Sequence, residues 1–504
     1  MSVIKRFLND TAIYGLSTIV SRLLNFILTP LFVRKFETSV FGIFTNMYSW
    51  TALINTFLAF GMETTYFRYL QKVEEKDKSK VFNNSFIVTI FTTLLFLSVL
   101  FTFISPIATW FSNNGLQSVA NYKQYLLFMG GILATDALAV VPFAKLRAQN
   151  RPIRYSILKL LNIGVFVSSN LFLIVFLPWF LAKFPAYLSY FSWYKGPWLG
   201  YVFLSNLFAS VLTLLLLIPE IKSFSFKLDK ALLMSMFSYS FPVFIANVSF
   251  IVNEHLDKIL MPTLLPDHVG EQDLGIYGAI SKIAVFLSIF VQAFRLGAEP
   301  FFFSYAKNEN AKKVYALIME YFVLFMVLVM MGLSMNIEWL KYFIKGGDAV
   351  QTAKYWSGLD FIPIILFNYV MLGIYMNLSV WYKLSDQTRF GLYISGIGAL
   401  VTIILCYLLI PMYSYAGAIV VTSIAYLVMV SLSYFWGQRN YPIPYKVGKM
   451  LAFITFGSIL IAINYLVFHR NFWTGNLLLL LYLCVVVYNE RAMLKKIIGG
   501  LTAK

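Results

Sequence analysis

Apolar stretches of about 20 residues recur from one end of this 504-residue chain to the other, and nothing else in it limits the fold so severely. A stretch of that length spans the hydrocarbon core of a bilayer as a helix, in which every backbone donor and acceptor finds its partner inside the segment. The stretches lie near 11–33, 40–61, 82–105, 122–143, 158–178, 199–218, 239–262, 275–298, 314–334, 358–381, 389–410, 413–435, 450–468 and 476–489. Numbered helices 1 to 14 in that order, they predict an all-α fold, a polytopic membrane bundle of about 14 transmembrane helices. A composition of 60% hydrophobic, 18% aromatic and 12% charged residues leaves no soluble domain and no appended enzyme module between them.

A net charge of +18 would suggest nucleic acid in a soluble domain, so its distribution matters. Basic residues crowd alternate loops, among them Arg68, Lys72, Lys76, Lys78 and Lys80, then Lys145, Arg147, Arg151, Arg154 and Lys159. The opposite set holds only Arg34, Lys35, Lys123, Lys183, Lys195, Lys341, Lys345, Lys354 and Arg470. The positive-inside rule then expects both termini in the cytoplasm, and nucleic acid drops out as a partner. The basic loop 145–159 suits the anionic inner leaflet, although a topology signal explains it as well. The aromatic loop from Pro178 to Trp198 reads as an interfacial belt rather than a sugar platform. Lys5 and Arg6 ahead of an apolar stretch resemble a signal peptide, but Arg22 and the lack of a small-residue cleavage site keep that stretch as helix 1. Cys406 and Cys484 fall within predicted helices and read as packing residues.

Helices 1 and 2 can be laid over helices 7 and 8. Pro30 matches Pro262, Asn25 matches Asp257, and Arg22 matches Glu254. Phe41-Gly42-Ile43-Phe44 matches Leu274-Gly275-Ile276-Tyr277, and after a small insertion Gly61-Met62-Glu63 matches Gly297-Ala298-Glu299. Six helices separate the copies, so both halves share one orientation about an axis along the membrane normal. The expected division is a six-helix half over 1–222, a second over 223–440, and an additional helix pair with a tail over 441–504.

Charged side chains within spans are costly and face a bundle interior or a cavity, which makes each a candidate for function. Thr18, Ser21, Arg22, Asn25 and Thr29 share one face of helix 1, with Arg22 roughly 16 Å deep at 1.5 Å per residue. In helix 7, Asn247, Glu254, Asp257 and Lys258 form a stripe, and Glu254 and Lys258 are spaced for an ion pair. Ser281, Ser288, Gln292, Arg295 and Glu299 continue the pattern in helix 8, with Lys282 beside it. The expected substrate cavity is therefore built from Arg22, Asn25, Glu254, Asp257, Lys258, Lys282, Gln292 and Arg295. Dry interhelical hydrogen bonding is the alternative. Arg22 is the first candidate for a phosphate contact, because a guanidinium stays charged and grips phosphate with a planar fork. Glu63, Asp136 and Glu299 are the candidates for ion coupling, and His255, set on another face, reads as packing. No nucleophile elbow, phosphate-binding glycine loop or metal-spaced cluster occurs, so neither an enzyme nor a cofactor is expected.

With those residues in view, the sequence resembles the polysaccharide flippases of the multidrug/oligosaccharidyl-lipid/polysaccharide exporter superfamily, the group containing Wzx-type O-antigen flippases. Ser21-Arg22-Leu23-Leu24-Asn25-Phe26, Phe41-Gly42-Ile43-Phe44, Gly61-Met62-Glu63 and Leu146-Arg147-Ala148-Gln149-Asn150-Arg151 carry the resemblance in the first half. Tyr239-Ser240-Phe241-Pro242, Leu256-Asp257-Lys258-Ile259-Leu260 and Gly275-Ile276-Tyr277 carry it in the second. The resemblance implies a V-shaped cavity between two six-helix halves, alternating access, and a cationic cavity reached by the helix-1 arginine. It also implies a lipid-linked oligosaccharide as substrate, carried across a bacterial inner membrane for cell-surface polysaccharide such as O-antigen and lipopolysaccharide. Membrane lipids and glycan polymerase or ligase machinery are the partners it suggests. Helices 13 and 14 would shape a groove for the lipid tail or simply add packing surface. The competing readings are a proton- or sodium-coupled antiporter of organic cations and, from another class, a membrane glycosyltransferase or polymerase. The latter would have only Asp267, Glu271 and Asp273 as an acidic cluster in a short loop.

Overall fold

A computed structural model describes residues 20, 23–24, 26–113, 115–266, 269–306 and 308–502, excepting the side chains of 296–297, 299–300, 304 and 492–502. The described residues form helices and turns only, as the apolar stretches require. The helices are α1, whose last part is Thr29–Lys35, α2 Thr38–Ala59, α3 Lys78–Asn113, α4 Val119–Ala148 and α5 Pro152–Leu171. Next come α6 Gly200–Leu216, α7 Lys230–Leu264, α8 Val269–Tyr305, α9 Ala311–Met335 and α10 Ile362–Leu378. The long stretch Arg389–Asn440 is broken at Ser414 (φ 50°, ψ −133°) into α11, 389–413, and α12, 415–440. The chain ends in α13, Val447–Leu466, and α14, Phe472–Thr502.

Among the described residues, ten helical stretches are long and apolar enough to cross a membrane. Counting Arg389–Asn440 as two, and adding the 22-residue α2 and the 17-residue α6, accounts for thirteen of the fourteen expected spans; much of the first, 11–33, lies outside the described residues. Several helices run past the apolar windows that located them. Helix 3, expected over 82–105, extends over Lys78–Asn113, and helix 7, expected over 239–262, over Lys230–Leu264. Hydropathy marks only the part bathed in hydrocarbon, whereas a helix keeps its hydrogen bonds into the polar zone beyond. Residues such as Phe91, Leu94 and Leu95 of α3, Leu400 and Ile404 of α11, and Leu477 and Leu480 of α14 are exposed, as a lipid-facing surface requires.

Prolines account for the local departures from straight helix. Pro178 follows a π-helical turn over Phe172–Phe176, where the wider winding relieves the clash a proline ring makes with the preceding turn. Pro262 in α7 has no N–H for the carbonyl of Lys258 four residues earlier. The Asn46 side chain of α2, 5% exposed, supplies the missing donor, reaching Lys258 O at 2.8 Å and Ile259 O at 3.2 Å. Asn46→Leu is expected to orphan that carbonyl at a cost of about 1–3 kcal/mol, read as a lower thermal midpoint in detergent. An unchanged midpoint would mean that water or another donor serves the carbonyl.

Helices of the two expected halves meet near both ends of the bundle. At the end carrying the α1–α2 turn, α2 and α8 cross at Gly42 and Gly275 so closely that a methyl group on Gly42 would overlap the Glu271 carbonyl oxygen, and one on Gly275 that of Thr38. Tyr122 OH (2.6 Å) and Leu116 N (2.9 Å) donate to the Glu271 carboxylate, while Tyr355 OH (3.0 Å) and Gln351 Nε2 donate to Phe36 O. At the opposite end, α2 stops at Phe60 and Gly61, both left-handed with φ 44° and 67°, and the chain resumes as a short helix, Met62–Leu70. There Phe60 stacks on Phe244 of α7 at 4.7 Å, Arg68 lies over Tyr239 at 4.1 Å, and Tyr69 OH donates to Ser235 O at 2.5 Å. The added pair is pinned at both its ends. Lys446 meets Glu320 of α9 at 3.1 Å and Lys449 of α13 meets it at 2.5 Å, while Arg470 between α13 and α14 meets Glu338 at 3.3 Å and Asp360 at 3.2 Å.

Candidate functional site

Between these two contact regions lies a cavity of about 430 Å³. Its walls come from Phe26 ahead of Thr29–Lys35, Phe44, Thr45, Tyr48 and Ser49 of α2, Asn162 and Phe166 of α5, and Asn206 of α6. Facing them are Glu254, His255 and Lys258 of α7, Ser281, Lys282 and Ser288 of α8, and Tyr369 of α10. The two walls differ in chemistry. On the α2–α5–α6 side the polar groups are neutral: Asn206 Nδ2 donates to Tyr48 OH at 2.9 Å, and Asn162 Nδ2 to Thr213 Oγ1 at 2.9 Å. Among the described lining residues, the titratable groups other than tyrosines all stand on α7 and α8.

Lys258 is not paired as its spacing suggested. Its ammonium bonds the backbone carbonyl of Glu254 at 2.9 Å and both oxygens of Asp257, at 3.0 and 3.2 Å, instead of the Glu254 carboxylate. Asp257 is 1% exposed, lies behind the lining, and accepts from Tyr277 OH at 2.8 Å. A carboxylate so deep needs its counter-ion nearby, and the residue one position on folds back to supply it. Lys258→Met is therefore expected to destabilise the protein by about 3–5 kcal/mol, most of it regained in Asp257→Asn/Lys258→Met. Melting curves of the two variants in detergent read the cycle, and equal losses in both would refute the pairing.

With Lys258 answered by Asp257, Lys282 stands out. Its ammonium lies 5.8 Å from the centre of the Phe44 ring and has no hydrogen bond or ion pair among the described residues. The Glu254 carboxylate likewise has none among them. His255 lines the cavity, contrary to the packing role its helical angle suggested, and its Nδ1 is buried without a hydrogen-bond partner.

The other expected site residues disperse. Arg22 and Asn25 lie outside the described residues, as does the side chain of Glu299. Gln292 is half-buried and outside the cavity lining, and Arg295 is exposed beside a separate small pocket with Asn377 and Lys383. Glu63 is taken up by an ion pair with Arg147. Asp136 of α4 is half-buried, bonded to Ser210 of α6 and within electrostatic range of Lys159 of α5. Tyr48, Asn162, Asn206 and Tyr369 were not singled out, although isolated amides in otherwise apolar helices are a readable signal.

The sequence model of the polysaccharide biosynthesis protein family matches residues 7–305, more than half of the chain. The chain belongs to that family. A second family model, MatE, matches residues 258–408 of this polysaccharide biosynthesis protein. Among solved structures, it is similar to a lipid II flippase, MurJ, in an inward closed conformation, with 15% identity, a TM-score of 0.72, and 94% of this chain and 99% of that chain covered. A multidrug resistance MATE family transporter of the MOP superfamily, in an inward-facing conformation, aligns at 13% identity and a TM-score of 0.60, covering 85% and 94%. A Vibrio cholerae MATE transporter, VcmN in the bent form, aligns at 12% and 0.54, covering 88% and 98%. These likenesses carry the fold. No curated protein matches this polysaccharide biosynthesis protein in sequence.

Proposed function

We propose that this protein is a flippase that moves a polyprenyl-diphosphate-linked oligosaccharide from the cytoplasmic to the outer leaflet of a bacterial inner membrane by alternating access. The observation that carries the reading is the cavity between the two halves, charged on α7 and α8 and neutral on α2, α5 and α6, with the Lys282 ammonium unanswered among the described residues. Taking a diphosphate and sugars bare through hydrocarbon costs tens of kcal/mol by Born estimates, and a polar cavity substitutes for the lost water while the tail stays in lipid. A cavity of this size, within the ~300–1,000 Å³ usual for ligand sites, holds the diphosphate and the sugars nearest it.

The Lys and Arg distribution supports cytoplasmic termini and puts the Gly42–Gly275 crossing on the outer side. That crossing also supports two related halves, 1–222 and 223–440. Gly42 meets Glu271 while Gly275 meets Thr38, and the register that equates Gly42 with Gly275 equates Thr38 with Glu271, as a pseudo-two-fold requires. Carrying negative charge outward is favoured by about 2.3 kcal/mol per charge per 100 mV when the interior is negative. Asp136 remains the coupling candidate, since Glu63 is committed to Arg147. Glycan polymerase or ligase machinery is the partner such a product calls for.

The Glu254 carboxylate, without a partner among the described residues, favours the rival reading, antiport of an organic cation. Proteoliposomes carrying polyprenyl-diphosphate oligosaccharide, read by a lectin confined to the outer face, separate the two. Protein-dependent appearance of sugar outside is the expected result. No such movement, with an organic cation crossing against a proton or sodium gradient, replaces the flippase with the antiporter.

A further inference from the structure

The face of α2 opposite the charged cavity bounds a second hollow. It holds about 380 Å³ between α2, α3 and α4, and its lining includes Met47, Trp50, Val99, Trp110, Met129 and Leu133. Its walls are apolar: the Thr51 hydroxyl, the polar side chain nearest it, is turned onto Met47 O at 2.9 Å and Met129 Sδ at 3.4 Å. An apolar cavity does not fill with water, and one of this size takes an apolar molecule instead. Val99 and Trp110 are 48% and 43% exposed, so the hollow is continuous with the surface that carries Phe91, Leu94 and Leu95 into the bilayer.

Two placements select among the hydrocarbons a bilayer offers. Phe44, Thr45, Tyr48 and Ser49 line the charged cavity, while Met47, Trp50, Thr51 and Ile54 line the hollow, so one helix about 10–12 Å across divides a headgroup chamber from an apolar one. Trp110 and Phe111 also line a small crevice of about 10 Å³ with Ile259 and Pro262 of α7, which follow Lys258 in sequence. An amphiphile whose diphosphate sits at α7 and α8 thus has an apolar berth within a few isoprene units. We propose that this hollow binds the isoprene units of the transported lipid nearest the diphosphate, in the half of the membrane toward the α3–α4 turn. The inference rests on the flippase reading and adds a tail site in the first half of the chain, apart from α13 and α14. An acyl chain of bulk phospholipid shares the chemistry but gains nothing from the charged chamber next door.

The test uses the full chain in proteoliposomes with a polyprenyl-diphosphate sugar bearing a diazirine in its first isoprene units, and a phosphatidylcholine with a diazirine in its acyl chain as control. The expected result is labelling of peptides from α2, α3 and α4 by the polyprenyl probe, competed by unlabelled substrate. Val99→Trp, which fills the hollow from its lipid-facing side, is expected to lower that labelling and transport about ten-fold, equivalent to ~1.4 kcal/mol of binding. Leu133→Phe, a smaller intrusion, should give a lesser loss in the same direction. Wild-type transport without labelling of these peptides overturns the inference and leaves the flippase standing. Labelling by phosphatidylcholine that substrate does not displace overturns it equally. Absence of wild-type transport sinks the flippase reading itself, whatever is labelled.

Discussion

Gly42→Ala and Gly275→Ala are each expected to open the seam between α2 and α8, with a large loss of transport. The atom a new methyl group meets is a backbone carbonyl oxygen of the facing helix, Glu271 O in one case and Thr38 O in the other, and backbone cannot swing aside as a side chain can. Overpacking of this kind costs about 1–3 kcal/mol, which shifts a closed-to-open equilibrium roughly 5- to 150-fold. Thr45→Cys, lining the cavity a helical turn further along α2, reports the shift. A membrane-impermeant maleimide added on the side of the α1–α2 turn should label it much faster in either glycine variant than in the parent. Because the contact is reciprocal, the two variants should behave alike. Unchanged labelling and transport in both would mean that the seam does not need these glycines.

Those two glycines were legible because the repeat rests on residue types with backbone reasons for their positions. Much of the fold was legible for a similar reason, since hydrocarbon leaves a chain few options and long apolar windows locate its helices. The windows fell short of the helix ends: α7 begins at Lys230 and runs through Ala231-Leu232-Leu233-Met234, α3 continues past Pro106 to Asn113, and a span of about 20 residues cuts both off. They did divide the stretch Arg389–Asn440, since the expected boundary between 389–410 and 413–435 falls within a few residues of the Ser414 break.

The site was legible by element more than by residue. The polar faces of α7 and α8 do meet a cavity, yet a stripe at three- and four-residue spacing fixes an angle around a helix and says nothing about depth. Arg295 is 13 residues beyond Lys282, roughly 20 Å along the axis at 1.5 Å per residue, so the same stripe leaves the cavity before reaching it. Lys258 was paired with the wrong acid because the four-residue rule assumes an exposed, regular helix. Here Asp257 is buried and must be answered, so the Lys258 ammonium folds back onto it. The neutral wall of Tyr48, Asn162 and Asn206 went unread because an amide draws notice only on a helix that also carries charge at mid-depth, as Asn25 and Gln292 do.

Lys282→Met is expected to move stability and transport in opposite directions. An ammonium in the membrane interior with no ion pair or hydrogen bond among the described residues is held at a cost, and a side chain of similar length without the charge removes that cost. The thermal midpoint in detergent should rise. Transport should fall by about 2 kcal/mol or more of lost interaction with the diphosphate, at least roughly thirty-fold. Lys282→Arg keeps the charge and should keep much of the transport, while Lys282→Glu inverts it and should leave none. Opposed signs are what separates a ligand-binding cation from a structural one: a lysine held for packing would lose stability on replacement and, at equal amounts of folded protein, carry substrate as before. A lower midpoint with normal transport in Lys282→Met would therefore take the phosphate contact away from Lys282 and return the search to the basic residues of helix 1.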